Sequence, residues 1–192
     1  DPQPALSRRV AWYYQTHQIP AAIHPVSRLD RETSGLVLFA KNACIHHMLS
    51  QQKLRKEYWG LTTGHWDPPK GCLNGPIARA PGSIIRRQVD PSGAPAVTHY
   101  QVLETFGDYD LVQFTLETGR THQIRVHCAH AGHPLAGDHL YGPPGPQSRH
   151  LLHAKTLELI HPLTRAPLRI TAPLPADFLA YIQQGKFSPG MV

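Results

Sequence analysis

The chain has 192 residues, of which 41% are hydrophobic and 17% charged, with a formal net charge of +6. That composition reads as an ordinary globular chain and not a disordered one, and no apolar run approaches the roughly 20 residues needed to cross a bilayer. Three cysteines without a Cys-x-x-Cys spacing exclude a disulfide framework and a thiolate zinc site, while the excess of Lys and Arg favours a polyanionic partner.

In chain order, residues 5–15 (ALSRRVAWYYQ) set Leu6, Val10, Tyr13 and Tyr14 at helical spacing, and Ile19-Pro20 lies just beyond, which predicts a helix and then a loop. Residues 35–40 (GLVLFA) are short, apolar and β-rich and predict a buried strand; Asn42 then caps a helix over 43–54. Residues 58–63 read as another strand. From 68 to 95 the chain is rich in Gly and Pro, with β-like pieces around Ile77 and over 84–89, which predicts an irregular insertion containing a hairpin. Residues 97–106 and 110–117 alternate apolar and polar on either side of Gly107-Asp108-Tyr109 and predict two antiparallel strands. Helical character returns over 121–131 and stops at Gly132-His133-Pro134. After a turn-rich stretch over 134–146, residues 151–160 and 167–172 read as strands and 175–184 as a closing helix. Many antiparallel strands and few helices, without regular strand-helix alternation, give an α+β class: a mixed, mainly antiparallel sheet with flanking helices.

Two long segments carry the chemistry. The first is HPVSRLDRETSGLVLFAK at 24–41. The second is LETGRTHQIRVH at 116–127, continued by AGHPLAGDHLYG at 131–142. Shorter pieces accompany them: Lys56-Glu57-Tyr58, AVTHYQVLE at 96–104 and Leu152-His153-Ala154. Taken alone, Asp30 between Arg28 and Arg31 is an ordinary surface turn, because exposed ion pairs are common and worth little. With both segments in this order, the chain resembles the RluA-type pseudouridine synthases over about residues 20–178. The resemblance implies the catalytic fold of that family over 1–192 as a single domain. It also implies isomerisation of uridine to pseudouridine in structured RNA, ribosomal or transfer, without redox or metal cofactor. Ser27 stands where family members often carry His. The Lys-Pro-x-Gly strand that usually precedes the first helix, and the small RNA-binding domain many members add before it, are not seen. A cytoplasmic monomer without an obligatory protein partner is the expectation, since no secretory leader pattern opens the chain.

Residue by residue, the resemblance makes Asp30 the nucleophile, able to add to C1′ of the ribose or to C6 of the base. Arg125 matches the arginine that pairs with it and would hold it ionised. If 121–131 is helical, Arg125 shares a stripe with His122 and Ala129, while Ile124, Cys128 and Ala131 share another. Tyr58 matches the active-site tyrosine, whose ring lies against the base and whose hydroxyl can take part in proton transfer; an aromatic in a strand is otherwise core. Leu29 and Ile124 form apolar pocket walls or pack in the core. Arg28 fills the gap left by an extruded base or holds a neighbouring phosphate, and Arg120 contacts a phosphate or makes a structural ion pair. Arg8, Arg9, Lys53, Arg55, Lys56, Arg86 and Arg87 are further candidates for phosphates. A catalytically silent RNA-binding protein with the same fold is the alternative; a glycoside hydrolase needs a partner acid about 5 to 9.5 Å away, and Glu32 should point away from Asp30 if that segment is extended. His122, His127, His130 and His133 surround Cys128, but their spacing does not bring all four to one helix face, and no metal is expected.

Overall fold

The computed structural model describes residues 5–187, with the elements α1 (Leu6–Thr16), β1 (His24–Pro25), β2 (Ser34–Gly35), β3 (Phe39–Ala40), α2 (Ala43–Ser50), β4 (Arg55–Thr63), β5 (Lys70–Asn74), β6 (Ile77–Arg79), β7 (Arg87–Val89), β8 (Val97–Phe106), β9 (Tyr109–Leu116), α3 (Gln123–His130), β10 (Leu152–Ile160), β11 (Pro167–Thr171) and α4 (Ala176–Phe187). Strand β4 shows why these elements assemble. Its side chains alternate between two faces. Tyr58 lies opposite Phe114 of β9 and Ala154 of β10, and all three join Val112, Leu152, Ile124 and Cys128 in one core. Leu61 points the other way, into a second core with Phe106, Leu111, Leu151 and Phe178. The central strands of the sheet are therefore covered on both faces, by α3 on one and α4 on the other. Phe114 and Phe178 have no exposed surface, and each contributes on the order of 2–3 kcal/mol of burial.

The main sheet runs β11-β10-β4-β9-β8-β5, antiparallel throughout, with β2 added parallel to β10. This is the mixed, mainly antiparallel α+β arrangement expected. Among the described residues no helix is long and apolar enough to cross a membrane.

Several boundaries differ from the sequence reading. The apolar run 35–40 is not one strand: Ser34-Gly35 pairs with His153-Ala154 of β10, then the chain turns and Phe39-Ala40 pairs with His24-Pro25. Gly35 is the reason. Its φ is +109°, and a methyl group on it would run into the Ala154 carbonyl. Leu36 and Leu38, half-buried, still pack against the core of Leu49, Leu157 and Leu159. Helix α2 ends at Ser50 rather than 54, although Asn42 caps it as expected by accepting the Ile45 N–H at 2.9 Å. The Gly- and Pro-rich stretch holds a sheet strand, β5, which was missed because its residues alternate exposed and half-buried; only afterwards does it fold into the β6–β7 hairpin.

Because β2 is the anchor of the segment that carries Asp30, Gly35→Ala is expected to destabilise the chain by about 2–4 kcal/mol through backbone strain and overpacking. Urea unfolding checks this; a midpoint within error of the parent would show that β2 is free to move.

Candidate active site

A cleft of about 440 Å³ opens between the 26–33 segment, β4, the end of α2 and the start of α3. Arg28, Leu29, Asp30, Tyr58, Arg120, Ile124 and Arg125 all line it, so residues up to 97 positions apart in sequence meet in one place.

Asp30 sits in a tight turn in which the Thr33 N–H donates to its carbonyl at 3.0 Å. Three contacts brace that turn. Ser27 is buried, and its hydroxyl accepts the Leu38 N–H at 2.9 Å, so where relatives often carry His this chain has a structural brace. The Thr33 hydroxyl meets His150 Nε2 at 2.8 Å, and the Ser34 hydroxyl meets His153 Nδ1 at 2.9 Å. The Asp30 side chain keeps 21% of its surface exposed, enough for a substrate to reach it.

Arg125 projects from α3 with only 8% of its side chain exposed. Its Nη1 is 3.5 Å from Asp30 Oδ2, as the resemblance implied. Its principal partner, however, is Asp138: Nε and Nη2 each donate to a carboxylate oxygen at 2.7 Å, a bidentate fork. The Asp138 carboxylate also accepts the N–H groups of Leu140 and Tyr141. Burial alone would raise the Asp138 pKa, but the Arg125 hydrogen bonds and charge hold it below the usual value. Gly137, just before it, has φ +73° and no room for a side chain beside the Arg149 carbonyl, which fixes the turn presenting Asp138. Burial opposes the charge of Arg125 too, but the Asp138 hydrogen bonds and the two carboxylates raise its pKa.

Tyr58 is buried at the cleft floor. Burial first, and then the charge of Asp30, push its hydroxyl up to about 12, so it stays a neutral phenol. Leu29 and Ile124 belong to both readings at once, lining the cleft and packing with the core around Phe114. Arg28 is exposed at the rim. Arg120 makes no ion pair among the described residues; its Nε donates to the Pro95 carbonyl at 2.9 Å and ties the loop before α3 to the segment leading into β8. Lys53 and Lys56 join the cleft wall, and burial lowers the Lys56 pKa. Arg55 instead lies 3.8 Å from Glu158.

Sequence reasoning gave no role to Asp138, Tyr141 or His150, and none beyond a metal test to His122. The signal for the first two was present in AGHPLAGDHLYG. His122 precedes α3 in a left-handed conformation (φ 59°), its Nδ1 is 2.7 Å from the Tyr141 hydroxyl, and its Nε2 is 4.0 Å from Asp30 Oδ2. His127 is a structural tie between Thr98 and the Gly75 carbonyl. Among the described residues no group of three or more His, Cys, Asp or Glu could hold a metal ion. Glu32, the nearest acid in sequence to Asp30, has Oε2 3.5 Å from His150 Nδ1.

Burial lowers the pKa of His122, His127, His150 and His153, that of His150 to about 3. Below the unfolded value near 6.5 the unfolded chain takes up protons that the folded chain refuses. Stability is therefore complete above that value and falls as pH drops toward the folded pKa, by up to ~1.4 kcal/mol per pH unit from His150 alone. Urea midpoints at pH 7.5 and pH 5 check this, and equal midpoints would contradict a neutral His150.

A family described as RNA pseudouridylate synthase matches residues 5–130. The chain is 42% identical over 187 residues to an uncharacterized RNA pseudouridine synthase of Bacillus subtilis, covering 95% of this chain and 66% of that protein. It is 40% identical over 199 residues to ribosomal large subunit pseudouridine synthase D of Haemophilus ducreyi, covering 93% and 60%. The chain thus spans less than two thirds of the length of these relatives. The solved structure of human RNA pseudouridylate synthase domain containing 1 superposes with a TM-score of 0.72 at 25% identity, over 93% of this chain and 86% of that one.

Proposed function

The chain belongs to the RNA pseudouridylate synthase family, and we propose that it isomerises uridines in structured RNA to pseudouridines with Asp30 as the nucleophile. One observation carries the reading: a partly exposed carboxylate faces a cleft next to a buried guanidinium whose orientation is locked by a second carboxylate. Such a carboxylate is held in place without being consumed by its own ion pair, because Arg125 spends its fork on Asp138.

The reaction breaks the N1–C1′ bond, turns the uracil and joins C5 to C1′; N1 gains a proton, C5 loses one, and composition does not change. Asp30 adds to C1′, with the N1–C1′ electron pair leaving on uracil, or to C6 of the ring, and either adduct collapses to return the carboxylate. A stacked uridine cannot offer these atoms, so the base must leave the helix and enter the cleft. There Tyr58 gives it an apolar face and a neutral hydroxyl, with Leu29 and Ile124 as walls. Arg28 at the rim suits the neighbouring phosphate or the vacated stack, and Lys53 and Lys56 suit the backbone.

The similarity to a ribosomal large subunit synthase favours large-subunit ribosomal RNA over transfer RNA as substrate. Because one cleft draws its walls from residues 26 to 152, we read the described residues as a single catalytic domain; that it works in the cytoplasm as a monomer is a separate proposal, which the cleft does not bear on. Incubation with large-subunit ribosomal RNA tritiated at uridine C5 is expected to release tritium, and transfer RNA to release little. Tight RNA binding without release would instead support a catalytically silent RNA-binding protein.

A further inference from the structure

Two groups converge on one oxygen of the Asp30 carboxylate: Arg125 Nη1 lies 3.5 Å and His122 Nε2 4.0 Å from Oδ2. His122 is held for this by two features. Its backbone lies in the left-handed region at the entry to α3, a conformation that non-glycine residues adopt at a cost and that is retained where the surroundings impose it. Its ring is also fixed from behind by Tyr141, with the two rings edge to face at 5.6 Å.

The hydrogen-bond inventory sets the tautomer. The Tyr141 oxygen accepts the backbone N–H of Arg87, at 2.9 Å, from the β6–β7 hairpin. Its single proton is then free for His122 Nδ1 at 2.7 Å, the one other partner it has among the described residues. With Nδ1 accepting, the neutral ring carries its proton on Nε2, on the Asp30 side. The ionisable groups facing this ring are Asp30, Arg125, Arg87, Asp138, Tyr141 and His150; burial, followed by the nearby arginines, outweighs the carboxylates and keeps the imidazole neutral.

We propose that His122 is a positioning residue for the nucleophile: with Nδ1 capped by the Tyr141 hydroxyl it turns an Nε2–H toward Asp30 Oδ2, so that His122 and Arg125 face the same oxygen and together fix the orientation of the carboxylate. This rests on the reading of Asp30 as nucleophile. A neutral donor suits the task because it orients the carboxylate without adding a second full charge that would weaken its attack. The arrangement also links the hairpin to the chemistry, since Arg87 holds Tyr141, Tyr141 sets the His122 tautomer, and His122 faces Asp30.

Two measurements test it. Nitrogen NMR of His122 in the RNA-free protein is expected to show the Nε2–H tautomer, shifting to a mixture in Tyr141→Phe; an Nδ1–H tautomer in the parent overturns the proposal whatever the enzyme does with RNA. Single-turnover tritium release should fall about 10²-fold in His122→Ala and about tenfold in Tyr141→Phe, with RNA affinity changed less than about threefold. His122→Gln, which can place an N–H near the same point, should recover most of the rate. Parent-like rates in His122→Ala, or a loss confined to RNA affinity, overturn the proposal. If the parent itself releases no tritium, the reading of the reaction fails first, and the NMR result still decides the tautomer.

Discussion

Asp30→Asn is expected to abolish isomerisation, by at least about 10⁴-fold in single-turnover rate, while leaving the fold intact. Asn matches Asp in shape but cannot form and release an ester to C1′ or an adduct at C6. The structural cost is small for a specific reason. Arg125 loses a contact at 3.5 Å yet keeps both of its 2.7 Å hydrogen bonds to Asp138, so no charge is stranded. The turn itself is held by main-chain and neighbouring side-chain contacts, through Thr33, Ser34 and Ser27, none of which uses the Asp30 carboxylate. Unfolding midpoints should therefore move by less than about 1 kcal/mol. Tritium release and RNA binding on the same preparation check both halves. A variant retaining a tenth of the parent rate would rule out Asp30 as nucleophile.

Asp30, Arg125 and Tyr58 were legible as candidates in the sequence, because each lies in a motif with its own spacing, and all three line one cleft. The sequence did not show how they are held. Arg125 was assigned to Asp30, yet its fork belongs to Asp138, and nothing in a linear reading tells which of two carboxylates takes the closer geometry. His150 supports the Asp30 turn through Thr33 across 117 residues, a contact made only when β2 adds to β10. The same addition explains the broken strand at 35–40. Apolar character marked Leu36 and Leu38 as buried, and both are half-buried against the core, but a glycine with positive φ decides direction, and periodicity does not report φ. Strand β5 was hidden for the converse reason. It is an edge strand with alternate residues exposed, and its Gly and Pro neighbours look like loop until β8 pairs with it.

The second large effect is expected at Asp138. In Asp138→Ala the Arg125 guanidinium stays buried, with 8% of its side chain exposed, and keeps the longer contact to Asp30 and the Tyr141 ring 5.1 Å from its central carbon, neither of which replaces the lost fork. Breaking one half of a buried pair costs about 3–5 kcal/mol, and the Leu140 and Tyr141 N–H groups lose their acceptor as well. Activity should fall by about 10² or more even below the unfolding temperature, because the freed guanidinium can close on Asp30 and tie up the nucleophile. Replacing both partners separates the two consequences. Arg125→Met with Asp138→Leu removes both charges together and should recover the part of the lost stability that comes from the stranded charge, since desolvation of a buried pair offsets much of its attraction, while the Leu140 and Tyr141 N–H groups stay without that acceptor. It should not recover the rate, because nothing then orients the Asp30 carboxylate from α3. Urea unfolding and single-turnover tritium release on the single and double variants check this; a double variant that regained both would reduce Arg125 to a structural residue.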